Sequence, residues 1–304
     1  MLLGFDIGGT KSAVVVGSPD GQILDRIQFR SQAERGPLPM IDDLFAAADR
    51  LQPSHGPFGS AGVSIGGPLD ANQGIIHEPP NLPGWKAIPL RAILQKHLHI
   101  PVRIEHDAAA CALAEYHWGA GRNAGRLIYL TCGTGFGAGL VFDGIVYRGT
   151  GGKSVEIGHT RMRDDGPIAF GKRGSVEAFC AASALPRIAH WRFPNRWPSA
   201  INSVDIVRDA NLGMIEAIEV LRINANAVGD VCAMLGDLLR PDVIVLGSSA
   251  RYFGDDWLRQ VRARFTEQVL PDTNADCQIV PAALGDRLQD CSALAVAMDA
   301  KLAD

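Results

Sequence analysis

The sequence predicts an α/β protein built of two similar halves, and three observations carry that reading. Strand-like apolar runs alternate with segments of helical spacing. The stretch GFDIGGTKSAVVVGSPDGQIL (residues 4–24) returns in altered form as IYLTCGTGFGAGLVFDGIVY (residues 128–147). In each copy a strand-like run meets a Gly-Thr pair, a second apolar run follows, and an Asp-Gly pair (Asp20-Gly21, then Asp143-Gly144) turns the chain into a third run. The third observation is length, since 304 residues fit two ordinary lobes with a substantial core.

The elements follow in order. After the first hairpin, PMIDDLFAAADRL (39–51) has helical spacing, and FGSAGVSIGGPLD (58–70) reads as a strand running into a glycine turn. HEPPNLPGW (77–85) is a loop, PLRAILQKHL (89–98) an amphipathic helix, and IPVRIEHD (100–107) a strand ending on polar residues. AAACALAEYHWG (108–119) is an alanine-rich helix stopped by Gly119, and the second hairpin opens with RLIYL (126–130). GTGGKSVEIGH (149–159) is loop-like, and the prolines of HWRFPNRWPSAI (190–201) argue against regular structure, leaving it a lid, an interface or a plain loop. A long helix is predicted over 211–239, a short buried strand in PDVIVLGSS (241–249), and a final helix in DCSALAVAMDAKL (290–302). The expected domains are a small lobe over 1–115, joined by a returning helix at about 288–304, and a larger lobe over 116–287.

Hydrophobic residues make up 47% of the chain and charged residues 20%, which excludes disorder. The formal charge is -4 with basic residues scattered, so no nucleic-acid footprint is expected. No apolar run reaches the roughly 20 residues of a membrane span and no signal segment opens the chain, so a cytoplasmic protein is expected. The six cysteines (Cys111, Cys132, Cys180, Cys232, Cys277, Cys291) form no C-x-x-C pair and read as mostly buried thiols.

Unpaired backbone N–H groups in a tight glycine turn converge on one spot and favour an anion there. Two such turns would grip a polyphosphate. The first adds Thr10, Lys11 and Asp6, a carboxylate able to hold magnesium through water; the second adds Thr131 and Thr134. Glycine is also the usual residue of a plain hairpin, and each turn alone supports that simpler reading. A dinucleotide fingerprint needs a helix after its glycines, whereas GTGFGAGLVF leads into a strand. GPIAFGKR (166–173) approaches a phosphate loop, but Arg173 stands where a hydroxyl belongs.

DIGGTK, IGGPLD, NLPGW, HDAAACALAE, GTGFGAG, EIGH and GKRGSVE, in this order, resemble the ROK family of sugar kinases and repressors, over nearly the whole chain. The resemblance implies a two-lobed actin-like ATPase (ribonuclease H-like) fold, with a duplicated hairpin-containing α/β unit and ATP with magnesium in an inter-lobe cleft. By the same resemblance Asp6, Gly8, Gly9, Thr10 and Lys11 form the first phosphate segment, Thr134, Gly135 and Gly137 the second, and Gly247 with Ser248 the adenosine turn, where the family usually has more glycine. Asp107 falls on the catalytic base; its position before an alanine-rich run equally suits a helix cap. Gly67, Asn81, His106, Glu156, His159 and Glu177 match sugar contacts, although surface carboxylates and loop histidines are individually commonplace.

The implied reaction is phosphorylation of a hexose 6-hydroxyl, glucokinase-like, with N-acetylmannosamine, N-acetylglucosamine and fructose as alternative substrates. A non-catalytic sugar-binding or regulatory protein is the rival reading; the family's repressors carry a helix-turn-helix domain ahead of this motif series, and DIGGTK begins at residue 6. The resemblance further implies a homodimer. Many members bind zinc through the EIGH histidine and three cysteines, but here those positions carry Ile168, Phe170 and Ser175, and Cys180 does not restore the set. No zinc is therefore expected, with Ile168 and Phe170 packing into a small apolar cluster instead. His106 stands where the family usually has Asn, either altering sugar recognition or serving only as a packing substitution.

Overall fold

The computed structural model describes residues 1–301, so the end of the helix read as reaching 304 lies outside the described residues. By packing the chain forms two units, the first made of Met1–Asn123, Gly139–Val155 and the segment from Ala283, the second of Ala124–Ala138 and Glu156–Ala282.

In the first unit β1 (Leu2–Ile7), β2 (Lys11–Gly17) and β3 (Ile23–Arg30) pair antiparallel in succession. On the other side of β1 lies β4 (Ser60–Ile65), parallel to it. A small antiparallel sheet follows, of β5 (Leu69–Asp70), β6 (Ile75–His77) and β7 (Lys86–Ile88). The main sheet is completed by β8 (Val102–His106), giving the order β3-β2-β1-β4-β8. Strands β1, β2 and β4 are buried almost throughout, because both faces of the sheet are covered and near-continuous apolar runs suit that position.

Helices α1 (Pro37–His55), α2 (Leu90–Leu98) and α3 (Asp107–Trp118) lie where helical spacing placed them. Met40, Ile41, Leu44 and Leu51 of α1 join the core formed by Phe5, Val14, Val63 and Ile104. The C-terminal helix (Leu288–Lys301) comes so close to β4 that Ser60 Oγ donates to the Ala297 carbonyl (2.7 Å). Where α3 ends, buried Glu115 accepts from the N–H groups of Ala120, Ala283 and Leu284, tying that end to the entry of the C-terminal helix.

The second five-stranded sheet repeats this order as β11-β10-β9-β14-β15, with β9 (Arg126–Cys132), β10 (Phe136–Phe142), β11 (Ile145–Val146), β14 (Val243–Ser248) and β15 (Gln278–Pro281). Strands β9, β14 and β15 run parallel, as β1, β4 and β8 do. A two-stranded hairpin, β12 (Ile168–Ala169) with β13 (Lys172–Arg173), stands apart. The helices are α4 (Val176–Cys180), α5 (Ala184–Arg192), α6 (Ser203–Asn211), α7 (Ile215–Leu239), α8 (Asp255–Gln268) and α9 (Pro271–Asp276).

Several expectations change. The helix read over 211–239 starts only at Ile215, since Gly213 adopts φ 86° after α6 and breaks the run. His190–Arg192 of the proline-containing insertion close α5, and α6, α8, α9 and β15 were not foreseen. Residues 139–155 group with the first unit rather than with everything beyond 115: Gly139 lies against the Ala108–Ala109 backbone, where a Cβ would collide, and the Gly152 carbonyl accepts from Ala71 N–H (3.2 Å). All six cysteines are buried as thiols.

Gly62 of β4 faces the C-terminal helix, and a Cβ there would run into the main chain of Ala293 and Ala297. Rigid backbone on both sides leaves no side chain to yield. Gly62→Ala should therefore cost about 3 kcal/mol, read as a lower urea midpoint with unchanged slope.

Candidate active site

In the first unit the site begins at the turn between β1 and β2. Gly9 lies against the Asn81 backbone, since a Cβ would come 2.5 Å from the Asn81 oxygen, so Asn81 is held beside the turn by the absence of a side chain. Thr10 and Lys11 are exposed at the tip. Below them the Asp6 carboxyl is pushed up from 3.8 to about 7, mainly by burial and then by the carboxylates of Asp290 and Asp107, with Arg26 and Lys11 opposing. Asp290 is itself engaged by Arg26 at 2.8 Å.

Strand β8 delivers the next group. Its last residue, His106, occupies the N-cap of α3 in extended conformation, its Nδ1 accepting from Ala108 N–H at 3.4 Å. Asp107 is thus the first helical residue rather than the cap, because the extended backbone ends one residue earlier than the alanine run alone indicates. Its Oδ1 accepts from Ala108 N–H at 2.7 Å and lies 3.2 Å from His106 Nδ1, while the side chain stays 53% exposed. The helix N-terminus favours the anion. His106 packs against Gly67, where a Cβ would come 2.9 Å from His106 Cδ2. Just before it, buried Glu105 takes a two-pronged ion pair from Arg148 (Nε at 2.9 Å, with Nη2 closer) and accepts from His106 N–H at 3.2 Å. Burial raises the Glu105 pKa and Arg148 opposes that rise. These contacts place Asp6, Gly67, Asn81, His106 and Asp107 on elements of one unit, with Asp6 and Asp107 close enough to interact electrostatically.

The second unit gathers the rest. Between β9 and β10 the turn Gly133-Thr134-Gly135 closes with a Gly133 N–H bond to the Gly135 carbonyl (3.0 Å), and Gly137 follows on β10. Glu177 of α4 accepts from Phe136 N–H at 3.1 Å, and a Cβ at Gly135 would come 2.9 Å from the same oxygen. Gly158 of EIGH packs onto the Phe136 carbonyl and sits beside Glu177 Cβ. Glu177 and Gly158 are therefore brought to the second turn, with one Glu177 oxygen committed to its backbone and Glu156 and His159 flanking Gly158 in the chain. Buried Asn224 of α7 anchors this corner, donating to the Phe179 carbonyl (2.7 Å) and accepting from Trp257 (2.8 Å).

At the end of β14, Gly247 pairs in register with Thr131, and a side chain there would collide with the Tyr129 ring. Ser248 Oγ lies 3.0 Å from Thr131 Oγ1. Its backbone, φ 55° and ψ -127°, lies in territory that glycine tolerates far better.

The stretch lacking the three cysteines is arranged differently from the expected apolar cluster. Ile168 and Phe170 are exposed, at 48% and 69%, because the β12–β13 hairpin points its tip outward. The Phe170 ring lies 5.8 Å from the His159 ring. Backbone and long cations hold the loop: Lys172 Nζ donates to the His159 carbonyl (2.6 Å), Arg173 to the Gly166 carbonyl (3.1 Å), and Val176 N–H to the Thr160 carbonyl (2.8 Å). Ser175 caps α4 through Ala178 N–H. Among the described residues no group of three or more His, Cys, Asp or Glu side chains is arranged to hold a metal ion.

Sequence reasoning missed Glu105, Arg148, Ser31, Ser183 and Arg187, which support these groups. Only Glu105 left a trace, as a charge inside a strand beside the His-Asp pair.

Two glycine turns on a repeated sheet, with a half-exposed aspartate at a helix start, define the α/β architecture of the sugar kinases and repressors built on the actin-like ATPase fold. The ROK family profile matches residues 2–299, and the chain belongs to that family. It is 27% identical over 300 residues to a glucokinase of Halalkalibacterium halodurans, covering 93% of this chain and 91% of that one. It is 30% identical over 239 residues to the xylose repressor of Caldicellulosiruptor bescii, covering 74% of this chain and 59% of the repressor. Among solved structures, the ROK hexokinase of Thermus thermophilus superposes with TM-score 0.86 at 31% identity, covering 97% of each chain. A Streptomyces griseus glucokinase in complex with glucose and AMPPNP gives TM-score 0.79 at 26% identity, covering 98% of this chain and 99% of that one.

Asp6 yields a pH prediction. A folded-state pKa of about 7 against the ordinary 3.8 means that the stability linked to its proton is complete below 3.8 and lost as pH rises through about 7. Asp6→Asn lacks that dependence, so its stability relative to the parent should gain about 2 kcal/mol between pH 5.5 and 8.5, measured by urea denaturation.

Proposed function

We propose that this protein is an ATP-dependent sugar kinase that transfers the γ-phosphoryl group to the 6-hydroxyl of a hexose, with Asp107 as general base. The observation that best supports the reading is the state of Asp107: one oxygen is tethered by Ala108 N–H while the side chain remains half exposed. A tethered carboxylate with a free oxygen suits proton acceptance from a hydroxyl. As that proton leaves, the sugar oxygen bonds to the γ-phosphorus, the bond to the β–γ bridging oxygen breaks, and ADP departs. In this reading the amides of Gly8–Lys11 and Thr134–Gly137, with the Lys11 ammonium, take the phosphate charge. Asp6 would hold the magnesium that accompanies ATP, which would neutralise charge on the phosphates, and Gly247 with Ser248 would meet the adenosine.

Asn81, Gly67, His106, Glu156, His159 and Glu177 are assigned to the sugar. Their acceptors and ring nitrogens suit an uncharged polyol. Glucose is the first choice, supported by the glucokinase relatives; N-acetylmannosamine, N-acetylglucosamine and fructose are the alternatives. A cytoplasmic homodimer completes the proposal, and no helix among the described residues is long and apolar enough to cross a membrane. A sugar-binding regulator without turnover is the second reading, favoured by the similarity to a xylose repressor.

ADP release measured with magnesium-ATP and a panel of hexoses separates the two. Turnover by the parent, reduced roughly 100- to 10,000-fold in kcat by Asp107→Asn, is the expected result. No turnover with any hexose would favour the regulator, and an undiminished Asp107→Asn would remove the base. We propose further that the EIGH loop works without zinc. Elemental analysis of purified protein should return far less than one zinc per chain, and turnover should persist when a zinc chelator is added with magnesium in excess.

A further inference from the structure

Each glycine turn is held from behind by a serine that no motif marks. In the first unit fully buried Ser31 donates from Oγ to the Gly8 carbonyl (2.6 Å) and from its backbone N–H to the Thr10 carbonyl (3.1 Å), with Ser12 Oγ 2.9 Å from its own. In the second unit Ser183 donates its backbone N–H to the Gly133 carbonyl (3.3 Å) and its Oγ to the Thr134 carbonyl. Arg187, one turn along α5, donates from Nη2 to Ser183 Oγ at 2.8 Å. The same device, one hydroxyl and one amide gripping two carbonyls of a turn, thus occurs once in each unit.

Peptide geometry gives the device a consequence. In a trans peptide the C=O and the following N–H point in opposite directions, and the cis bonds among the described residues are at Gly56-Pro57 and Gly67-Pro68. Holding the carbonyls of Gly8 and Thr10 therefore directs the N–H groups of Gly9 and Lys11 away from Ser31. Holding those of Gly133 and Thr134 directs the N–H groups of Thr134 and Gly135 away from Ser183. Successive amides fixed in this way form a concavity for an anion, and fixing them beforehand removes the reorganisation that binding would otherwise require.

We infer that Ser31 and Ser183 are positioning residues for nucleotide phosphates, each setting the amides of one turn, with Arg187 holding Ser183 in its rotamer. The inference rests on the kinase reading's placement of phosphates at the turns. Arg187 fits the supporting role: its guanidinium is partly buried, its Nη2 reaches Ser183, its Nε lacks an acceptor among the described residues, and the Glu177 carboxylate acts on it electrostatically.

The test uses the full chain and magnesium-ATP. Calorimetry without sugar gives the nucleotide Kd, and steady-state assays give KM for ATP and for the sugar. Ser183→Ala should weaken nucleotide binding and raise KM for ATP roughly 5- to 30-fold, the effect of one or two lost hydrogen bonds. The sugar KM and the melting temperature should stay near the parent's, and Ser183→Thr, which keeps the hydroxyl, should retain parental nucleotide affinity. Ser31→Ala should shift nucleotide affinity in the same direction at temperatures where circular dichroism shows it folded. A purely structural serine predicts a lowered melting temperature without the selective change in ATP affinity. Parental affinity in Ser183→Ala, or equal loss in Ser183→Thr, overturns the inference alone, whereas a parent that binds no nucleotide overturns the kinase reading with it.

Discussion

The two glycine turns carry backbone carbonyls that must be satisfied on one side if their amides are to remain available on the other. Ser31 meets that requirement for the first turn and Ser183 for the second, each through one side-chain and one backbone donor. Buried polar groups without partners are expensive, so a turn lacking such donors would rotate its peptides to find others. The arrangement of Asn81 against Gly9, and of Glu177 and the EIGH loop against Gly135 and Phe136, presupposes turns that hold still.

Close approach is the second constraint. Gly9, Gly67 and Gly158 each lie where a Cβ would enter a neighbouring group, and in each case that neighbour is assigned to the sugar or lies beside a residue that is. Of the glycines read as phosphate-binding, Gly9 thus also seats Asn81, a residue proposed to meet the sugar. Glu177 shows the economy of this plan: one oxygen takes the Phe136 amide, and the same side chain stands beside the EIGH loop.

Around Asp107 the electrostatics are finely opposed. Asp290 and Asp107 both oppose a charge on buried Asp6, with Arg26 and Lys11 in partial compensation, while Glu105 and Arg148 pair immediately behind His106. A buried ion pair contributes little net stability, but removing one partner would strand a charge under the helix that carries Asp107. In the hairpin after EIGH, main-chain pairing and the reach of Lys172 and Arg173 hold the loop where a metal was not expected.

The duplicated hairpins, the main strands and helices of the first unit, and the motif series that gives family membership were legible in the chain, because strand and helix periods and glycine turns are local properties. Residues near one another in sequence settled them. Other features were not legible: Gly213 delays the long helix to Ile215, the cap falls on His106 instead of Asp107 and Phe170 points outward, while the serines behind the turns reach carbonyls far along the chain. A hydrogen bond between Ser183 and Thr134, or the packing of Gly62 on the C-terminal helix, joins groups whose separation in sequence carries no period and no motif. Only folding brings such groups within reach, so the sequence determined which turns and strands form, and the tertiary structure decided which side chains hold them in place.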